Sequence, residues 1–329
     1  MDLQRLGTVR RLARLTSADG YFLVAALDHP ENYLALFDKD VARVPYEVVV
    51  RSKLELAAAL APYSSALLLD PVWSHGQAIA TRTLPGPVGV IAALDMLRYT
   101  PDEPPGWDPE TRLRPGWTPE KAALLGADGV KLVVIYRADR TGLAARQRAL
   151  VAELVASCRA LQLPLVIEPI WYPLGDEEVR APRRAAAIVA AAAEFAALGA
   201  DILKVQFPGS VGSVASRAAA ADAARELDAA LSVPWVLLSE GAGYDDFAVQ
   251  MEIAAGAGAS GYIAGRAVWG DAVGDIPEAE RLRALARAGE RLTALNKIVR
   301  GYGRPWFERI PADPVPSTLA PDWYGSYGG

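Results

Sequence analysis

The chain has 329 residues, of which 52% are hydrophobic, so it can bury a large core. This length fits two average domains or one α/β barrel. The net charge of −5 comes without a block of like charges, which argues against a nucleic-acid-binding protein. No apolar run reaches the roughly 18 residues of a membrane span, and the N-terminus lacks the apolar core of a secretory signal. We therefore expect a cytoplasmic protein with no nucleic acid or membrane as partner.

Cysteine and histidine are scarce. Cys158 is the only cysteine, which excludes an internal disulfide and a thiolate metal cluster, and its helical spacing indicates a core position. His29 and His75 have neither HxxxH nor HxH spacing, so a histidine-built zinc site is not expected. We expect no metal and no cofactor.

The first third of the chain alternates helices and strands. Apolar residues at helical spacing predict an amphipathic helix over 3–15. A strand over about 21–27 follows, then a helix over roughly 46–60, a second strand ending at Asp70, and a third strand over 88–94.

The second part of the chain repeats one pattern. A glycine, an alanine and a small polar residue precede an apolar run in 126–136, 199–207 and 258–265, as expected for a helix end that turns into a strand. Further strands are predicted in 163–169 and 233–241. Eight strands alternating with helices favour a single-domain α/β protein, a closed parallel (β/α)8 TIM barrel, over the alternative of an open doubly wound sheet.

Two segments show no periodicity. The segment 95–117 is rich in proline, tryptophan and charge, and its length indicates a lid or active-site wall. The segment 301–329 is rich in proline and aromatic residues and is predicted to be a C-terminal arm. It would dock on the barrel or on a partner subunit, with disorder at its last few residues as the alternative. The barrel domain itself is predicted to span 1–300.

A lysine interrupts the apolar run DILKVQFPG at 201–209, which predicts a buried strand stopped by Pro208 and Gly209. Burial of Lys204 would favour its neutral amine, which can attack a carbonyl and form a Schiff base. The alternative is a lysine that reaches solvent from the strand end or pairs with a carboxylate.

Other chemistry-bearing residues fall at or near strand ends, where barrels carry their functional side chains. These are Asp28, Asp70, Glu168, Ser239 and Arg266. Lys131 and Lys204 both lie five residues after the glycine of their repeat, so we expect the same orientation for both. Neighbouring ammonium groups disfavour joint protonation, and Asp28 and Glu168 would move protons. The alternative is that these carboxylates only form buried ion pairs with the lysines.

The ends of the seventh and eighth strands favour a phosphate site. SEGAG (239–243) and AGRAVWG (264–270) supply glycines for close approach, and Arg266 supplies a guanidinium. Glu240, next to Gly241, would disfavour an anion unless its side chain points away.

Seven segments together carry a family resemblance. They are AALDHP (25–30), LAPYSSALLLDP (60–71), GADGVKLVVIYRAD (126–139), LVIEPIWYP (165–173), GADILKVQFPG (199–209), PWVLLSEG (234–241) and GASGYIAGRAVWGDAV (258–273). The chain here resembles the class I tagatose-1,6-bisphosphate aldolase family, including the class I sulfofructose-1-phosphate aldolases. The resemblance implies that Lys204 is the Schiff-base lysine and that Asp28, Lys131 and Glu168 lie around it. It also implies that the substrate 1-phosphate is held by Ser239, Gly241, Gly265 and Arg266.

The chain departs from the family pattern at three places. The family carries Asp-Gln-Arg after the first strand, where this chain has Asp28, His29 and Pro30. Gln206 replaces a glutamate two residues after the Schiff-base lysine, and strand alternation turns it inward as a candidate substrate-binding residue. Glu240 replaces a small residue. The reaction type is expected to survive these changes better than the substrate identity.

The expected activity is a metal-independent class I aldolase, a lyase of carbohydrate metabolism. It would cleave a phosphorylated ketose resembling tagatose 1,6-bisphosphate to dihydroxyacetone phosphate and an aldehyde, through an imine on Lys204. The alternatives are a transaldolase, an aldolase for a deoxy or sulfonated sugar phosphate, and a non-catalytic barrel that binds sugar phosphate. A small phosphorylated sugar is the expected partner, and we expect a homo-oligomer.

Overall fold

The structure is a computed structural model that describes residues 5–28, 33–97, 110–174, 180–311, 319–325 and 327. Within these residues the strands are β1 (Phe22–Ala26), β2 (Ala66–Leu69), β3 (Gly89–Ala93), β4 (Asp95–Leu97), β5 (Thr111–Leu113), β6 (Gly129–Ile135), β7 (Leu165–Ile170), β8 (Ile202–Val205), β9 (Trp235–Leu238) and β10 (Gly261–Ala264). Eight of them form a closed parallel barrel in the order β1, β2, β3, β6, β7, β8, β9 and β10. β10 pairs with β1 and closes the sheet.

Among the described residues, one α-helix precedes β1, seven lie between barrel strands in the chain, and two follow β10. They are α1 (Leu6–Leu15), α2 (Tyr46–Leu60), α3 (His75–Ala80), α4 (Pro119–Leu124), α5 (Thr141–Ala160), α6 (Ala181–Leu198), α7 (Val214–Ala230), α8 (Tyr244–Ala257), α9 (Arg266–Trp269) and α10 (Glu278–Tyr302). The predicted (β/α)8 barrel is confirmed. The glycines of the repeat act as expected, since Gly199 and Gly258 end α6 and α8 with φ of +109° and +119°. None of the helices in the described residues has the length and apolar character needed to cross a membrane.

The half of the barrel interior towards the N-terminal ends of the strands is apolar. Its inward-facing side chains are Phe22, Val24, Ala26, Ala66, Leu68, Ile91, Ala93, Val166, Ile202, Val236 and Ile263. α1 closes the N-terminal end of the strands with Leu12 and Leu15, and Trp306 packs into the same cluster. The Trp306 indole donates to Thr16 Oγ1 at 3.2 Å. Among the described residues, this end of the barrel is filled by a buried apolar cluster.

The segment 95–117, predicted as a loop, contains a short antiparallel pair. β4 and β5 pair Asp95 with Leu113, and residues 98–109 between them lie outside the described residues. Thr111 Oγ1 accepts a hydrogen bond from the Ile135 amide at 3.0 Å, which ties β5 to the C-terminal end of β6. The pair therefore borders the end of the barrel where its charged residues lie.

The described part of the C-terminal arm contacts the barrel of the same chain. Beyond α10, the Trp306 amide donates to the Gly20 carbonyl at 3.0 Å, just before β1. Arg309 pairs with Asp228, and the Tyr327 hydroxyl donates to Gln162 Oε1 at 2.6 Å. Residues 312–318, 326, 328 and 329 lie outside the described residues.

Candidate active site

Two buried lysines share one carboxylate near the C-terminal end of the barrel. Lys131 on β6 and Lys204 on β8 both point into the barrel, with side chains 0% and 2% exposed. Glu168 on β7, the strand between them, has Oε2 2.7 Å from Lys131 Nζ and Oε1 2.9 Å from Lys204 Nζ. The two lysines therefore have the common orientation that their positions in the repeat suggested.

Two further carboxylates surround Lys131. Its Nζ lies 2.9 Å from Asp28 Oδ2 and 3.3 Å from Asp95 Oδ1. Burial alone would lower the pKa of Lys131, but the charges of Asp28, Asp95 and Glu168 raise it well above its usual range. Lys131 is therefore a permanent cation at neutral pH. The ion pairs of Asp28 and Glu168 with the two lysines, which the sequence left open as an alternative, are present. These ion pairs do not prevent Lys204 from acting as a nucleophile.

The arrangement suits proton transfer at Lys204. A carboxylate oxygen 2.9 Å from the Lys204 nitrogen is within the range in which a general base takes a proton. The other oxygen of Glu168 is held by Lys131, so the carboxylate cannot rotate away without losing that contact. The site thus combines an amine, an adjacent base and a fixed positive charge.

Asp95 was missed as a site residue by the sequence reasoning. It lies two positions after the last residue of β3, as Asp28 lies two positions after the last residue of β1, so the rule that identified Asp28 applies to it as well. The aspartate stood at the start of a segment interpreted as a loop. Its Oδ1 also accepts the Val133 amide at 3.1 Å, which fixes the carboxylate beside β6.

Asp70 belongs to a different cluster. Its Oδ2 lies 2.5 Å from the Nζ of Lys53, a fully buried lysine of α2 that the sequence reasoning did not single out. Lys53 also donates to the Leu27 carbonyl at 2.6 Å and lies over the Tyr33 ring, 4.9 Å from its centroid. The pair holds the ends of β1 and β2 together outside the Lys131 and Lys204 cluster.

The residues expected to hold phosphate lie at the ends of β9 and β10. Ser239 is buried, and Gly241 follows it with φ of +77°. A Cβ on Gly241 would come within 3.5 Å of Arg266 Nη2, so the bare backbone of this turn faces the guanidinium. Gly265 directly precedes Arg266, and a Cβ on it would lie 3.4 Å from the Ala26 carbonyl. The structure brings all four residues to one side of the barrel end.

Gln206 and Glu240 contact each other. Gln206 is buried, its Oε1 accepts the Trp171 amide at 2.8 Å, and its Nε2 donates to Glu240 Oε1 at 2.5 Å. Arg184 Nη2 donates to both oxygens of Glu240, at 2.8 and 2.7 Å. The Glu240 carboxylate is therefore directed at Arg184 and Gln206, and sequence reasoning missed Arg184.

His29 and Pro30 lie outside the described residues. Among the residues that the structure does describe, no group of three or more His, Cys, Asp or Glu side chains is arranged to hold a metal ion.

Comparison with known proteins identifies the family. The profile described as DeoC/LacD family aldolase matches residues 24–271, which is most of the barrel. The chain belongs to the DeoC/LacD aldolase family. It is therefore an aldolase, a lyase that cleaves or forms a carbon–carbon bond, and the family resemblance seen in the sequence is confirmed.

Named relatives come from streptococci. Tagatose 1,6-diphosphate aldolase 1 of Streptococcus pyogenes serotype M3 is 27% identical over 291 residues, covering 78% of this chain and 84% of the relative. Tagatose 1,6-diphosphate aldolase 2 of Streptococcus mutans serotype c is 26% identical over 330 residues, covering 91% of this chain and 96% of the relative. The chain is thus similar over most of its length to DeoC/LacD aldolases whose names give tagatose 1,6-diphosphate as the substrate.

A solved structure shares the fold. A Schiff-base-forming fructose-1,6-bisphosphate aldolase superposes with a TM-score of 0.58 at 20% sequence identity, covering 89% of this chain and 99% of that one. At this identity the match supports the barrel architecture alone.

Proposed function

We propose that this DeoC/LacD aldolase is a class I enzyme that cleaves a phosphorylated ketose resembling tagatose 1,6-bisphosphate. Its products would be dihydroxyacetone phosphate and an aldehyde, formed through an imine on Lys204. The observation that carries the proposal is Glu168, which lies within 2.9 Å of both Lys131 Nζ and Lys204 Nζ in a buried site. The names of the streptococcal relatives support the choice of substrate class.

Imine formation begins with loss of a proton from Lys204 to Glu168. The free amine adds to the C2 carbonyl of the ketose and forms a carbinolamine. Glu168, now protonated, returns its proton to the hydroxyl, which leaves as water and gives the iminium ion. Lys131 remains charged throughout because the carboxylates of Asp28 and Asp95 also stabilise its positive charge. Its contact with Glu168 keeps that carboxylate in position.

Bond cleavage follows from the iminium ion. A carboxylate, Asp28 or Glu168, takes the proton of the C4 hydroxyl, the C3–C4 bond breaks, and its electron pair moves into the iminium to form an enamine. The aldehyde leaves first. Protonation of the enamine at C3 and hydrolysis of the resulting iminium then release dihydroxyacetone phosphate and free Lys204.

The 1-phosphate would be held at the ends of β9 and β10. The proposed ligands are the Ser239 hydroxyl, the backbone at Gly241 and Gly265, and the Arg266 guanidinium. The approach of Arg266 to the unsubstituted backbone of Gly241 supports this assignment. It would fix C2 of the substrate relative to Lys204, which is the main requirement for rapid addition.

Cleavage assays with two variants at one position test the proposal. Tagatose 1,6-bisphosphate, fructose 1,6-bisphosphate and 6-deoxy-6-sulfofructose 1-phosphate are assayed for release of dihydroxyacetone phosphate, with and without acceptor aldehydes. We expect turnover by the wild type, and a loss of about 10⁴-fold or more in kcat for Lys204→Met and for Lys204→Arg. The arginine variant is the matched control, because it keeps the positive charge beside Glu168 but cannot form an imine. Turnover by either variant at the wild-type rate would refute the role of Lys204, and a wild type inactive on every sugar would refute the proposed substrate class.

A further inference from the structure

The turn after β9 carries a residue that is poorly suited to it. Glu240 has φ of +46° and precedes Gly241 at +77°, so two consecutive residues adopt the left-handed conformation. That conformation is unfavourable for a residue with a side chain, and it persists only where neighbouring contacts hold it. The side chain is also a carboxylate, placed next to the glycine that faces Arg266. Its charge would repel a phosphate dianion at this turn unless it were neutralised.

Arg184 provides both the contact and the opposite charge. It lies in the first turn of α6, and its Nη2 donates to both carboxylate oxygens of Glu240. Its Nη1 donates to the Phe207 carbonyl at 2.9 Å, at the end of β8. One half-buried guanidinium thus ties the end of the Lys204 strand to the turn after β9.

Gln206 completes the connection. Its Oε1 accepts the Trp171 amide at 2.8 Å, its Nε2 lies 3.4 Å from the Trp171 carbonyl, and the same Nε2 donates to Glu240. Both ends of the amide are therefore engaged by protein atoms. A series of hydrogen bonds runs from the end of β7 through Gln206 and Glu240 to Arg184 and the end of β8.

We propose that Arg184 and Gln206 are positioning residues that neutralise Glu240 and hold the turn Ser239–Gly241 ready for the substrate phosphate. Gln206 acts through Glu240, and contact with the substrate is not its role. This inference rests on the proposed phosphate site of the aldolase. Its distinguishing consequence is electrostatic, since loss of Arg184 exposes the charge of Glu240, and removal of that charge restores phosphate binding.

Borohydride-trapping titrations read by intact-protein mass test this. Dihydroxyacetone phosphate and dihydroxyacetone are titrated against the wild type, Arg184→Met, Glu240→Gln and the double variant, and the half-saturating concentrations are compared. We expect Arg184→Met to raise the half-saturating concentration of dihydroxyacetone phosphate about tenfold. The half-saturating concentration of dihydroxyacetone, which carries no phosphate, should rise less than about twofold. The double variant should return to within about threefold of the wild type.

The possible failures are distinct. A double variant as weak as Arg184→Met would show that Arg184 acts only through structure, and an Arg184→Met titration equal to the wild type would remove its role. Glu240→Gln serves if Arg184→Met does not fold, because it should bind dihydroxyacetone phosphate at least as tightly as the wild type, and weaker binding would overturn the inference. A wild type that traps neither probe would refute the proposed Schiff-base function itself, and the inference with it.

Discussion

The two ends of the barrel interior are built from the same strands and have opposite chemistry. Towards the N-terminal end the inward positions are apolar, and α1 with Trp306 closes them. Towards the C-terminal end the next inward positions on β6, β7 and β8 carry Lys131, Glu168 and Lys204, all nearly free of solvent contact. Side chains two residues apart on a strand point to the same face of the sheet. One strand can therefore place an apolar side chain at the N-terminal end of the interior and a charged side chain at the C-terminal end.

This difference separates stability from chemistry. Apolar burial is the main favourable term in folding, whereas a buried ion cluster contributes little net stability because desolvation offsets the attraction between the charges. The apolar end should therefore contribute most of the stability, and the charged end most of the rate. Substitutions at the two ends should give opposite patterns of activity and unfolding free energy.

The largest effect is expected from a change at the charged end. Glu168→Gln keeps the shape of the side chain but removes the base beside Lys204, and it should lower kcat by about 10²- to 10⁴-fold. Lys131 keeps its contacts with Asp28 and Asp95, so the fold should be retained. Steady-state kinetics and thermal unfolding of the same preparation measure both quantities. A variant with normal kcat would remove Glu168 from the mechanism.

The reverse pattern is expected at the apolar end. Leu12→Ala leaves a cavity among fully buried side chains and should lower the free energy of unfolding by about 2–5 kcal/mol, with kcat unchanged in the folded enzyme. Leu124→Ala is the matched control, because Leu124 is 89% exposed and its loss should change stability by less than about 0.5 kcal/mol. Urea unfolding compares the two. If Leu12→Ala lowered kcat and left stability intact, the separation of the two ends would be wrong.

A smaller, pH-dependent effect is expected from His75, which is buried beside the charged end and contacts Trp117 edge-on. Burial lowers its pKa to about 4, and Asp70 opposes the shift without reversing it. The unfolded chain takes up this proton near pH 6.5, whereas the folded chain does so only near pH 4, so folded stability falls as the pH drops between these values. His75→Phe should remove about 1–3 kcal/mol of that decline, measured by urea unfolding at pH 7 and pH 4.5. An unchanged difference between the two pH values would show that His75 does not titrate in this way.

Local sequence patterns predicted most of the fold. Apolar runs bounded by turn residues located all eight barrel strands, and the repeated glycines at helix ends preceded three of them. Both signals lie within a few residues of each strand, so they can be read from local sequence. The pair β4 and β5 was not predicted, since each strand has three residues and shows no periodicity.

The site was predicted in part for the same reason. The position of Lys131 and Lys204 after their glycines predicted a shared orientation, and strand ends located Asp28 and Glu168. The same rule would have located Asp95. The contact between Arg184 and Glu240 joins residues 56 positions apart, and neither residue stands in a pattern that marks the other. Asp70 satisfied the strand-end rule, but it pairs with Lys53 of α2 and not with the lysines of the barrel interior. The strand-end rule considers strands alone, so it did not reveal a partner on a helix.

The most direct test of the central claim is the position of a reduced adduct. The wild type is incubated with dihydroxyacetone phosphate and sodium borohydride, digested, and mapped by mass spectrometry, with Lys204→Arg treated in parallel. An adduct on Lys204 in the wild type, and none in the variant, is the expected result. An adduct on Lys131, or an equal yield of adduct in Lys204→Arg, would contradict the assignment of Lys204 as the nucleophile.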